Sequence, residues 1–579
     1  MILPNVVKRV RYHVPKFIRK DIKEESIKVI GIDSEAYEDG KTFMFCTSEN
    51  DIITPEYIPH IFFNRKYRGS NFVVWNLKYE IGAIIQNIPI ENIKELQSTG
   101  ITIYNEYTYR VIVNKFLSIR KGRNSIHFYD MQPFYKMSLD NAAKKYLNDS
   151  KIEVETKKFS YEYVKENWDM LATYCIKDAT LTKQLADRMI KTFEHFGVYP
   201  RKLFSTAYVT WQYFSRKCPY IHVKYYFDFQ KEILNYAMHS YAGGKFEVTR
   251  KGAGYYYLYD IVSAYPYEIS NLVDTRMMSC VKSKHYEKDA VYGYIHCKIN
   301  IPFETYNPIP VKVHNVNFYT VGEMEKVITK NDYEYLKRQG ADITIINAWW
   351  LFRDKLEYPY RKEIKRLLKL KSKYKREGKR IEYLTIKTFL NALYGKFQQL
   401  ILQGDILRAG AAWNPLYSSV ITANCRIRMS EYQQKYKSVI AVHTDSVIST
   451  EKLDINVSED LGAWDFEGEG EGIVLGVGIY QVGEKSRFRG FDTGTPLIDL
   501  MPSKGKTLIL SKQKAFSWRE VAHRNMHIDN INKFELLDKK LKVDFDTKRM
   551  WEDDYTDYSE VMKRKVYSYP WDYRLLQMV

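Results

Sequence analysis

The segment IKVIGIDSEAY, residues 27–37, constrains the fold more tightly than any other stretch of the chain. Its apolar run reads as a buried strand, the kind that belongs inside an α/β layer structure. That strand ends in Asp33 and Glu35, one residue apart and so directed to the same face. Two carboxylates on one face are costly unless a cation lies between them. NLKYE adds Glu80 together with Asn76 and Tyr79, and YCIKDAT sets Tyr174 and Asp178 four residues apart on one helical face. Carboxylates are hard oxygen donors suited to two divalent ions, Mg²⁺ with Mn²⁺ able to substitute. Two ions about 3.5–4 Å apart activate water and stabilise a leaving oxygen in phosphodiester cleavage. Tyr174 is spaced to orient that water.

Composition narrows the partners. The chain has 579 residues, enough for two to four domains, and 89 basic against 70 acidic residues give a net charge of +19. This balance suits a protein that handles polyanions, and 49 tyrosines among the lysines suit stacking on unpaired bases. The six cysteines stand singly, without CxxC pairs, which excludes a zinc ribbon or disulfide framework and fits a reducing, intracellular setting. No apolar run approaches the roughly 20 residues of a membrane span. The first 26 residues lack a continuous apolar segment and read as a basic arm.

A second constellation follows downstream. In YDIVSAYP, residues 259–266, Asp260 ends an apolar strand and Pro266 is expected to stop the turn after it. Lys387, Asn391 and Tyr394 in KTFLNALYGKF recur at helical spacing, with Arg380 one further interval back. A Lys, Asn and Tyr stripe suits gripping a triphosphate and presenting a ring to a base. The preceding run 361–380, which contains Lys375, holds eleven basic residues and two acids; taken alone, a solvated helix face explains it equally well. SVIAVHTDSVIST, residues 438–450, predicts a hairpin whose turn carries His443, Thr444 and Asp445. In YAGGKFEV, Gly243 and Gly244 permit close backbone approach to a partner.

Taken in order, these segments resemble a family B DNA polymerase of the protein-primed type found in bacteriophages and linear plasmids. IDSE, NLKYE and YCIKD are similar to its three proofreading motifs. YDIVSAYP, KTFLNALYG and HTDS are similar to polymerase motifs A, B and C, and YAGG to the link between the two modules. The resemblance implies a mixed α/β and α+β multidomain chain, with an RNase H-like 3′–5′ exonuclease domain followed by a right-hand polymerase of palm, fingers and thumb. The implied division is a basic arm over 1–26, exonuclease over 27–200, a connector with YAGG over 201–245, and palm with a terminal-protein-region-like insertion over 246–355. Fingers follow over 356–397, palm with a short insertion and motif C over 398–475, and thumb with the C-terminal region over 476–579. Only residues 398–413 separate motif B from the next helix, room for a short hairpin, so the group's second insertion is expected to be reduced.

By the same resemblance Asp33, Glu35, Glu80 and Asp178 bind the exonuclease metals, Tyr174 assists, and Asn76 and Tyr79 touch a single-stranded 3′ end. Asp260 and Asp445 bind the polymerase metals. Lys387 and either Arg380 or Lys375 meet the incoming dNTP, with Asn391 beside them. Tyr265 excludes a ribose 2′-hydroxyl, and Tyr394 lines the nascent base pair. Tyr241, Gly243, Gly244 and Tyr480 are the implied DNA contacts. The implied partners are template–primer DNA, dNTPs and a terminal protein that primes synthesis, for a monomeric enzyme of viral or plasmid origin in the host cytoplasm.

Three departures stand out. The group usually has Asp where His443 stands, Asp where Glu80 stands, and a Ser/Thr-Leu pair where Met131 and Gln132 fall. The thumb motif Lys-x-Tyr falls on Gly478, Ile479 and Tyr480, without its lysine. Losing a carboxylate that touches the ion would forfeit about 4 kcal/mol at 4 Å and an effective dielectric of 20. An octahedral ion needs about six oxygens. Asp260, Asp445, a backbone carbonyl and three phosphate oxygens supply them, so His443 and Thr444 are expected to stand outside the coordination sphere. Alternatives are a family B enzyme that starts from nucleic-acid primers, and an exonuclease or DNA-binding protein whose polymerase site has decayed.

Overall fold

The computed structural model describes residues 10–12, 24–113, 115–154, 159–219, 223, 231–403, 406–490 and 495–578. An eight-stranded mixed sheet forms the N-terminal layer. Its centre is Ile30–Ala36, parallel to Asn71–Val74, which is parallel to Asn124–Asp130. The helices Leu77–Ile85 and Trp168–His195 pack on this sheet, as the apolar run and the later helical periodicity predict. Three cores lie on its faces: one under the C-terminal part of Trp168–His195 toward the rest of the molecule, one around Phe72, Val74 and Phe128, and a smaller one of Phe43, Met44 and Cys46 with Leu171 and Cys175.

A second sheet, of nine strands, carries the other motifs. Arg250–Ile261 lies at its heart between Ser446–Ser449 and Trp464–Gly476, both antiparallel to it. The expected hairpin is there, Val439–His443 turning into Ser446–Ser449. Pro266 does not stop the turn after motif A. It lies in the first turn of a helix, Ala264–Ser270, where its missing N–H forfeits no intrahelical bond. Between motifs A and B the chain builds a four-stranded sheet, with strands Ser279–Ser283, Tyr292–Ile301, Gly322–Thr329 and Asp342–Phe352, around its own core.

The basic run forms the helix Arg361–Arg376, which packs against the next helix, Arg380–Ala392. The helix ends at Ala392, so Tyr394 opens a separate short helix, Tyr394–Phe397, instead of continuing the stripe. The short insertion is a hairpin of Leu400–Gln403 and Ile406–Ala409. Most of the expected basic arm lies outside the described residues. Its segment Val10–Tyr12, however, is a third strand on this hairpin, parallel to Ile406–Ala409, and not a free arm. No helix among the described residues is long and apolar enough to cross a membrane.

Candidate active sites

Gly31 sets the first acidic centre. A Cβ there would meet the Ala179 carbonyl oxygen at 1.9 Å, so only glycine lets the helix Trp168–His195 lie this close to the strand Ile30–Ala36. The contact brings Asp178 to the acidic end of that strand. Carboxylate oxygens of Asp33 and Glu35 and the Cys175 thiol lie within 4.8 Å of one another. Glu80 arrives from the helix Leu77–Ile85, and the Ser34 hydroxyl donates to its carboxylate at 2.6 Å. That helix starts at Asn76, held in the left-handed region at φ 73°. Asp130 accepts the N–H groups of Asn76 and Leu77, both at 3.2 Å, and fixes the helix end.

Burial, and after it the neighbouring carboxylates, hold Asp33, Glu35 and Glu80 well above the ordinary carboxylate range. Burial raises Asp178 too, against the pull of Lys151, which pairs with it and stands over the Tyr174 ring at 4.9 Å. Burial and then Asp178 push the Tyr174 hydroxyl up to about 12. Asp178 Oδ1 is buried and has no hydrogen-bond partner. Burial also pushes the Cys175 thiol up, so it remains a weak S–H donor, to the Asp33 carbonyl at 3.5 Å. The remaining donors are carboxylate oxygens whose charge Lys151 offsets only in part, a set that fits a hard divalent ion. Lys151, Ser34 and Asp130 were not among the sequence candidates, and no local pattern marks them. Met131 is fully buried in the core, while Gln132 uses its backbone N–H to reach Asp130 at 3.0 Å.

The second centre is built by strand register. Asp260 stands opposite Ser446, and the Ile261 N–H donates to the Asp445 carbonyl at 2.9 Å, which sets the two aspartates side by side. Asp465 is opposite Asp260 on the other flank, and a bulge between Phe466 and Gly468 displaces Glu467 toward the same end. Burial, then Asp445 and Glu467, push Asp260 up to about 7; burial and Glu467 push Asp445 up to about 6. Asp465 and Glu467 were missed in sequence, though their alternation in WDFEGEGEG is the signal that singled out Asp33 and Glu35. This donor set also fits a hard divalent ion.

These acids open onto a cavity of about 1330 Å³, whose opposite wall carries Lys365, Lys369, Lys371, Lys375, Lys387 and Asn391. Lys371 is held below the usual lysine range by burial and by Lys387 and Lys375. Arg380 is not on this wall. It starts its helix at the far end and donates to the Lys145 carbonyl at 3.2 Å, so of the two alternatives Lys375 faces the cavity. Tyr265 is on the wall, and Tyr394 stands behind it, the two rings stacked at 4.6 Å. Tyr241 joins them through a hydroxyl contact with Tyr394 at 2.7 Å, which ties YAGG to the Tyr265 side of the cavity.

His443 lies outside this cavity wall. It is 8% exposed, its Nε2 accepts the Gly478 N–H at 3.3 Å, and its ring packs on Tyr480 at 4.7 Å. Burial, then Lys548 and Arg487, hold its pKa down at about 3, so it is neutral at physiological pH. Tyr480 is therefore buried against His443 and is not the exposed DNA contact that its motif implies. Its cross-strand partner is Arg487, and the Arg489 side chain lies against Gly478, the position where the motif's lysine is missing. Thr444 takes the left-handed conformation at φ 66° and its N–H donates to the Lys245 carbonyl at 2.7 Å. A Cβ on Gly244 would meet Thr444 at 2.8 Å, so Gly244 is needed for the fit between YAGG and the motif C turn; only Gly243 faces open space.

The family profile described as "DNA polymerase type B, organellar and viral" matches residues 117–409. No curated protein matches the sequence. Among solved structures, phi29 DNA polymerase complexed with primer-template DNA and incoming nucleotide aligns with a TM-score of 0.64 and 14% identity, over 89% of this chain and 100% of that one. An orthorhombic crystal form of the same polymerase gives 0.63 and 15%, with the same coverage. Its complex with single-stranded DNA gives 0.56 and 15%, over 78% and 86%. The likeness is one of fold: an exonuclease domain followed by palm, fingers and thumb.

Proposed function

Because the chain belongs to the organellar and viral type B DNA polymerases, we propose that it extends primers on a DNA template, removes mispaired 3′ ends, and starts synthesis on a protein hydroxyl. The observation that carries this reading is the meeting of Asp260 and Asp445 across one strand register, on a cavity whose other wall is a row of lysines. Acids on one side, which would hold a divalent ion, and cations on the other suit a triphosphate.

In this reading Asp260 and Asp445, with Asp465 and Glu467 nearby, hold Mg²⁺ at the polymerase site, and Asp33, Glu35, Glu80 and Asp178 hold it at the exonuclease site. Bound there, the ions neutralise phosphate charge and lower the pKa of an attacking oxygen. Lys387, Lys375 and Lys371 bind and orient the triphosphate, and Asn391 lies on the same wall. Tyr265, backed by Tyr394 and Tyr241, fills the space that a ribose 2′-hydroxyl would need. At the exonuclease site Lys151 holds Asp178 in place, and Tyr174 orients a water. Asn76 and Tyr79 receive the single-stranded end.

The four-stranded unit between motifs A and B supports protein priming, since it adds to the palm side a surface whose outer strands carry exposed residues, while Tyr292, Tyr294, Val327 and Leu351 tie it to the main core. A decayed polymerase site is disfavoured, because the acids, lysines and tyrosines converge without residue 443. Template-directed incorporation of labelled dNMP into a matched primer tests the polymerase reading. Absence of any covalent dNMP–protein adduct with the genomic partner would refute priming on protein.

A further inference from the structure

The contact that seats Asp178 also seats a sulfur. Cys175 and Asp178 stand three residues apart on the helix Trp168–His195 and share its face, which Gly31 lets approach the strand Ile30–Ala36. The Cys175 thiol is buried and donates to the Asp33 carbonyl at 3.5 Å. Among the described residues, no other three side chains of His, Cys, Asp or Glu gather ligand atoms as closely as Asp33, Glu35 and Cys175, within 4.8 Å of one another. Asp178 brings a fourth donor. Lys151 holds its Oδ2, whereas Oδ1 is buried without a partner on a residue 2% exposed. After burial, the Asp178 charge is the strongest influence raising Asp33, which places both carboxylates at one centre.

The carboxylates alone suit Mg²⁺, a hard ion that takes oxygen in octahedral geometry and keeps several waters. Sulfur does not suit it. Zn²⁺ is softer, accepts Cys beside Asp and Glu, and prefers a tetrahedron; with bonds of about 2.0 Å to oxygen and 2.3 Å to sulfur, its donors stand about 3.5 Å apart. The group around Cys175 spans little more than that. Four protein donors would also fill the tetrahedron and leave no position for water or a phosphate oxygen, which is what separates a structural zinc site from a catalytic one. Among the described residues, no such sulfur-containing group forms at Asp260 and Asp445.

We propose that Asp33, Glu35, Cys175 and Asp178 form a site for a thiophilic divalent ion of the Zn²⁺ class, which excludes Mg²⁺ and shuts off degradation of 3′ ends while primer extension continues. The inference rests on the exonuclease reading above. As the sulfur–metal bond forms, the S–H bond breaks and its proton passes to water. The softer ion thus competes for carboxylates that Mg²⁺ also needs, and gains one bond that Mg²⁺ does not make.

Cd²⁺, a thiophilic probe of the same charge, reads the site directly, because a thiolate–cadmium bond adds an ultraviolet absorption band that carboxylate–cadmium bonds lack. In difference spectra the wild-type chain should develop this band and saturate at one Cd²⁺. Cys175→Ser should lose it, while Cys46→Ala, altered opposite Asp33 on the next strand, should keep it. A folded wild type without the band, a band that persists in Cys175→Ser, or one that vanishes in Cys46→Ala overturns the site. Should Cys175→Ser fail to fold, Asp33→Asn decides: it retains the sulfur yet should weaken Cd²⁺ about tenfold or more, and unchanged affinity overturns the site. With Mg²⁺ present, Zn²⁺ should stop degradation of single-stranded 3′ ends and spare dNMP incorporation in the same tubes, and Cys175→Ser should need about tenfold more Zn²⁺. Equal inhibition of the two chains, or of the two activities, overturns the shut-off. A wild type that degrades no 3′ end in Mg²⁺ overturns the exonuclease reading, and the cadmium band then still reports the sulfur site separately.

Discussion

At the exonuclease end, Asp33, Glu35, Glu80 and Asp178 are packed under a helix with one lysine among them, whereas Asp260 and Asp445 open onto about 1330 Å³ faced by a row of lysines. Both centres meet the same problem, carboxylates crowded together and raised in pKa by burial. The first offsets part of that charge internally, through Lys151 on Asp178 and the Ser34 hydroxyl on Glu80. The second leaves it to what enters the cavity. The contrast lies in access and not in carboxylate chemistry: on the proposed reading, the tight cluster would take one frayed strand end, and the wide cavity a template, a primer end and a triphosphate. Because the centres share no side chain, each should fail alone.

Asp33→Ala tests that independence with the largest expected effect. Removing one carboxylate at about 4 kcal/mol should slow degradation of single-stranded 3′ ends about a thousandfold. Extension of a matched primer should be nearly unchanged, and a parallel loss in primer-extension assays would break the comparison. Lys387→Ala should raise the Michaelis constant for dNTP about tenfold, the equivalent of 1.4 kcal/mol, with little change in DNA affinity. A weaker DNA complex with an unaltered dNTP constant would instead make the lysine wall a DNA-binding face.

Lys151→Ala sharpens the claim of an internal counter-ion. Burial already raises Asp178, and Lys151 opposes it, so without the lysine the carboxylate is protonated at higher pH. The acid limb of exonuclease activity should move to higher pH while that of polymerisation stays in place, as read from paired pH–rate profiles. Stability gives the smallest effect. Asp260 is raised from 3.8 to about 7, so the folded state binds more protons than the unfolded state between these values, and stability falls as pH rises through that window. In EDTA, Asp260→Asn should therefore melt a few degrees above the wild type at pH 8, less so toward pH 4. Added Mg²⁺ should erase or reverse the gap. A melting difference independent of pH would remove burial of that charge as its cause.

The sequence was legible where chemistry is local. Alternation exposed Asp33 and Glu35, helical spacing exposed Tyr174 and Asp178, and the polar turn between apolar strands exposed Asp445. Asp465 and Glu467 carry the same alternating pattern and were open to the same reasoning. What stayed hidden depends on long-range packing. Lys151 reaches Asp178 from a loop, Gly244 answers to Thr444 across the palm, and Tyr480 is covered by His443. Arg380 shares the stripe's spacing but starts its helix beside Lys145, and Pro266 fits the first turn of a helix that composition alone cannot distinguish from a loop end. The tip of the 507–542 arm is apolar in sequence, yet nothing local says that its core belongs to a sheet more than 400 residues earlier.

The central claim is that Asp260 and Asp445 complete the polymerase site without a carboxylate at 443, because His443 is neutral, buried and bonded to Gly478. Single-turnover incorporation by Asp445→Asn and His443→Ala, on one primer–template with 3′-end degradation followed in the same tubes, tests it most directly. Asp445→Asn should lose incorporation about a thousandfold and keep degradation, while His443→Ala should lose only several-fold. Equal silence of the two variants, or loss of degradation along with incorporation in Asp445→Asn, would contradict the account.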